Sequence, residues 1–139
     1  MALRREAFGL VSSLAVALAV QIPMFPGLGL EARDLSGYAP WMTIISLVLF
    51  FPLLALAVAA IPLAWRHTLL SGRIAVVFAV GMIPITVIDM AGLAGPQPST
   101  TILGFEIAAI VTFGAILFYG LRLLAYLGDT SARRSPAAV

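Results

Sequence analysis

Residues 41–64 read WMTIISLVLFFPLLALAVAAIPLA, and the uncharged run around them extends from Leu35 to Trp65. At about 1.5 Å per residue such a helix is roughly 36 Å long, enough to cross a hydrocarbon core of about 30 Å with some tilt. The apolar residues are continuous rather than alternating, which argues against a barrel strand. Only helices and closed barrels satisfy their backbone in lipid, so this stretch predicts a membrane-spanning helix.

Three further stretches of the same kind lie outward from it. The first covers about residues 7–25, with no Asp, Glu, Arg or Lys between Glu6 and Glu31. Arg4 and Arg5 before it give the outline of a signal peptide as well, but we expect an uncleaved first helix. The other two cover about residues 74–94, interrupted by Asp89, and residues 101–124, with Glu106 near the start and Arg122 near the end. The expected fold is therefore an all-α integral membrane protein, a four-transmembrane-helix antiparallel bundle. One domain over residues 1–128 accounts for the apolar chain. Residues 129–139, DTSARRSPAAV, carry too few apolar groups to pack and read as a disordered cytoplasmic tail.

Composition agrees. The chain has 139 residues, 62 % of them hydrophobic and only 10 % charged, with a formal net charge of +2. A soluble domain carries roughly a quarter charged residues. There is no Cys, Lys or Asn, which excludes disulfides, thiolate metal sites, Schiff-base chemistry and N-linked glycosylation. His67 is the single histidine, so neither a typical zinc site nor two-histidine haem ligation can form within one chain. Nucleophile elbow, phosphate loop and dinucleotide fingerprint are also lacking. We expect no enzyme, cofactor, metal or nucleic-acid partner.

The arginines set the expected topology. With the N-terminus in the cytoplasm, Arg4, Arg5, Arg66, Arg73, Arg122, Arg133 and Arg134 share that side, and Arg33 stands outside beside Glu31 and Asp34. Both termini are then cytoplasmic, in a bacterial or archaeal cytoplasmic membrane. Tyr38 and Trp41 at one end of the second helix, and Trp65 and Tyr126 at the other level, fit interfacial anchors. A short interfacial helix around residues 30–35 fits the outer connection, and the short basic link RHTLLSGR from Arg66 to Arg73 predicts a tight hairpin between helices two and three.

Two carboxylates remain inside the apolar spans, Asp89 and Glu106. Counted from opposite membrane faces, they reach a comparable depth in the outer third of the bilayer. Gln21, Thr86, Thr43 and Ser46 reach the same level from the other helices or the same helical face. Intramembrane carboxylates cost at least a few kcal/mol each unless paired, protonated or hydrated, so they tend to face a bundle interior or a wet cavity. A layer of oxygen ligands suits a hard cation, a proton or an organic cation. Asp89, Glu106, Gln21, Thr86 and Ser46 are therefore the candidate ion, proton or substrate ligands. Against this stands a plainer reading: Asp89 marks a loosened helix end, Glu106 complements a helix dipole, and the hydroxyls and amide are interhelical glue.

Pro52 and Pro84 fall near the middle of their helices, where each removes an N–H and frees a carbonyl four residues earlier, and are candidate hinges. Small residues recur at four-residue spacing in every helix and permit close internal packing or oligomer contacts. The sequence thus predicts a small transporter or channel-type protomer in a homo-oligomer, with an accessory or anchor subunit of a larger membrane complex as the alternative.

Overall fold

The computed structural model describes residues 2–22, 37, 39–93 and 95–133. It is all-helical among these, with α1 (Ala2–Gln21), α2 (Pro40–Ile45), a π-helical turn (Ser46–Phe50), α3 (Phe51–Arg66), α4 (Thr68–Met90) and α5 (Thr100–Arg133). Three stretches are long and apolar enough to cross a membrane: Val48–Arg66, Thr68–Met90 and Thr100–Gly128. α1 carries Arg4, Arg5 and Glu6 at its start, so its uncharged part, residues 7–21, is only about 22 Å long. The expected extension of this helix to residue 25 and the interfacial helix at 30–35 lie outside the described residues.

Neighbouring helices pack in chain order, α3 on α4 and α4 on α5, and α1 returns to lie against α5 and α3. The shared interior mixes small and large side chains: Ala17, Ala57, Ala60, Ala75, Ala79 and Ala109 are fully buried, beside Leu10, Leu14, Ile116 and Leu123. Alanine at these positions lets helix backbones approach closely, which in lipid replaces the hydrophobic drive that water would supply. Phe78 and Phe113 fill the centre edge to face, with ring centroids 5.5 Å apart. Large apolar side chains such as Val58, Val77, Val111 and Phe118 point outward and are exposed. Large apolar side chains on the outside suit helices solvated by lipid, and with three spans of sufficient length they mark an all-helical membrane protein.

Four boundaries differ from the sequence reading. The Arg66–Arg73 link is not a loop: only His67 leaves the helix, and α4 begins at Thr68. Packing explains this, because Ser71 Oγ donates to Ala60 O at 2.7 Å and Gly72 sits against Leu123 and Leu124. At its other end α4 stops at Met90 rather than residue 94. Gly92 takes a positive φ of 62°, its N–H bonds Asp89 O at 2.9 Å, and the Leu93 N–H bonds Ile88 O at 3.2 Å. That is a Schellman motif, which ends a helix by satisfying its last carbonyls.

α5 runs past residue 124 to Arg133, so the first five residues expected to be a disordered tail are helical. No Gly or Pro follows Gly128 until Pro136, and propagation of an existing helix adds one hydrogen bond per residue. Finally, Pro52 is not in the middle of a regular helix. It occupies the first turn of α3, directly after the π-helical turn. A proline tolerates the first turn, and the wider π spacing upstream accommodates the carbonyl its ring would otherwise strike. Pro84 does lie inside α4, as does Pro62 inside α3.

Candidate functional site

Contacts along each helix pair fix the heights of the polar groups. On the α1–α5 seam, Glu6 meets Arg122 at 3.2 Å, and a methyl placed on Gly9 would lie 2.6 Å from the Tyr119 ring. Three residues up α1 match three down α5, an antiparallel register. Continued to the end of α1, it sets Gln21 opposite Ile107, next to Glu106.

The α4–α5 seam gives the same result for Asp89. Gly72 is against Leu123 and Leu124, Val76 against Gly120, and Phe78 against Phe113. The same antiparallel progression brings Asp89 opposite the stretch from Ile102 to Ile107. On the α3–α4 seam, Ser71 bonds Ala60 and Gly81 packs on Leu53, again an antiparallel progression. The side chains of Thr43 and Ser46 lie outside the described residues.

Gln21, Thr86, Asp89 and Glu106 are buried, at 2 %, 5 %, 8 % and 0 % exposure. Each is positioned by an ordinary local device. Gln21 closes the last turn of α1 and Asp89 the last turn of α4. Glu106 stands in the second turn of α5, whose start is capped by Ser99, its Oγ accepting the Ile102 N–H at 3.3 Å. Thr86 Oγ1 donates to Met82 O at 3.0 Å, one turn back in its own helix. Thr112 likewise bonds Ala108 O at 2.7 Å. These hydroxyls therefore do not bridge helices, as glue residues would; back-bonding leaves their oxygen lone pairs available as acceptors. Gln21 Nε2 is buried with no hydrogen-bond partner, which costs about 1–3 kcal/mol for a donor held away from water.

One charged pair was not anticipated from sequence. Glu6 is buried on α1, and its Oε1 pairs with Arg122, whose guanidinium also lies 5.3 Å from the Phe118 ring centroid. Reading Arg122 only as a topology signal missed its second role. The available clue was that Glu6 and Arg122 flank apolar spans entered from the same face, hence share a depth. Among the described residues no three His, Cys, Asp or Glu side chains assemble into a metal-holding group.

Comparison with protein-family models, with curated proteins and with solved structures finds no match to this chain.

Proposed function

We propose that this chain is the protomer of a small transporter or channel, a four-helix transmembrane bundle with both termini on the cytoplasmic side. It passes a proton, a monovalent cation or a small organic cation through the layer formed by Asp89, Glu106, Gln21, Thr86 and Ser46. One observation carries the reading: helices α1, α4 and α5 bury an amide, a hydroxyl and two carboxylates at 8 % exposure or less in an otherwise apolar molecule. Carboxylates are retained in such surroundings at a cost that packing alone does not require. Two of them with oxygen-bearing neighbours supply the negative charge and acceptors that a desolvated cation needs. Pro84 within α4 and the π-helical turn before Pro52 lie on the helices that must move if the layer is to open alternately. Four helices enclose little space, so the working form is a homo-oligomer.

Reconstitution tests this. Purified protein in liposomes loaded with a pH dye should respond to imposed proton, Na⁺, K⁺ or tetramethylammonium gradients, and Asp89→Asn or Glu106→Gln should remove the response. A response that survives both substitutions rejects the proposal.

A second reading, an accessory subunit of a larger membrane complex, is favoured by Gly104 and Gly114. Methyls added there would meet nothing within 4 Å, although mid-helix glycine costs about 1 kcal/mol relative to alanine. A partner helix on that face would give them a purpose. Purification only in company with other polypeptides supports this reading over the first.

A further inference from the structure

We propose that the arginine-rich end of the molecule holds the headgroup of an anionic phospholipid, centred on Arg66, His67 and Arg73. His67 is the single non-helical residue between α3 and α4, with φ −134° and ψ 63°. This tight junction makes Arg66 the last residue of α3 and places Arg73 in the second turn of α4, about 8 Å along its axis. All three side chains are exposed, and neither arginine has an ion-pair partner among the described residues. Residues 35–88 contain no Asp or Glu, so no acid stands on α3 or ahead of Asp89 on α4. The adjoining first turn of α4 has no acidic residue and no side-chain cap, so its amide dipoles add to the positive field.

The surroundings select a lipid over a soluble phosphate. Leu69, Arg73, Val77 and Val80 follow one another along a single exposed face of α4. Arg73 thus stands above an apolar wall on which an acyl chain can lie. Trp65, 60 % exposed beside Arg66, supplies the amphipathic ring typical of the headgroup level. Arginine forks bind phosphodiester oxygens bidentately, and each basic residue near an anionic surface strengthens attraction several-fold.

Native mass spectrometry of the detergent-solubilised protein, titrated with phosphatidylglycerol or phosphatidylcholine of matched chains, tests the site. Wild type should retain roughly tenfold more phosphatidylglycerol than phosphatidylcholine. Arg66→Gln with Arg73→Gln should bring the two to parity, whereas Arg4→Gln with Arg5→Gln should leave most of the preference. If the glutamine double variant fails to fold, Arg66→Lys with Arg73→Lys keeps the charge and removes the fork, and should lose a several-fold share. Equal binding of both lipids by wild type, an undiminished preference in the lysine and glutamine variants, or full competition by free glycerol phosphate overturns the proposal. Asp89→Asn protein should bind lipid as wild type does, so this outcome is separate from that of the transport reading.

Discussion

Two glutamates sit on the same seam between α1 and α5, at opposite ends, and their treatment differs. Glu6 is buried at the arginine-rich end and meets a guanidinium that reaches it from the surface, Arg122 being 58 % exposed in its side chain. Glu106 is buried completely, and the register brings an amide, Gln21, to its level on the facing helix. The first arrangement is a clamp: Oε1 of a buried carboxylate is paired from within the chain, Oε2 has no hydrogen-bond partner, and the Arg122–Phe118 contact steadies the guanidinium. The second is a carboxylate wholly removed from solvent, in the second turn of α5. The difference separates a carboxylate met by an exposed arginine at one end of the seam from one enclosed completely at the other.

Breaking the clamp from its exposed side should have the largest effect on stability. Arg122→Gln leaves the Glu6 carboxylate buried without its partner, and we expect a loss of about 2–3 kcal/mol in reversible unfolding from detergent micelles. Gly9→Ala, one turn along the same seam, drives a methyl to within 2.6–2.8 Å of three Tyr119 ring atoms. A rigid ring backed by packed helices yields little, and a loss of about 1–2 kcal/mol should follow in the same assay. Removing the other half of the clamp is milder: Glu6→Gln leaves only a solvated arginine, and the change should stay below about 1 kcal/mol. A loss for Glu6→Gln equal to that for Arg122→Gln would contradict the asymmetry on which the clamp reading rests. Gly114→Ala should act oppositely and slightly, adding about 0.5–1 kcal/mol of helix stability in the isolated protomer, since nothing obstructs the new methyl.

Much of this contrast was legible in the residues. Long uncharged runs predicted helices two to four, because hydrocarbon thickness imposes a length that composition reveals directly. Their place within apolar spans singled out Gln21, Asp89 and Glu106, and all three are buried. Helix ends were less legible where tertiary contacts decide them. Ser71 and Gly72 extend α4 through a link that reads as a turn, and the Gly92 Schellman motif closes it earlier than the apolar run implies. The π-helical turn before Pro52 has no periodicity signal of its own. The Glu6–Arg122 pair was hidden for a different reason: which helices adjoin one another is a property of packing, and α1 meets α5 only after the chain has crossed back.

The most direct test of the account compares the two glutamates in one assay. Proton or cation flux is measured in proteoliposomes containing equal amounts of folded wild-type, Glu6→Gln and Glu106→Gln protein. Glu106→Gln should lower flux more than tenfold while Glu6→Gln stays within about twofold of wild type, each tenfold corresponding to about 1.4 kcal/mol. Flux unchanged in Glu106→Gln, or lost equally in both variants, would contradict it.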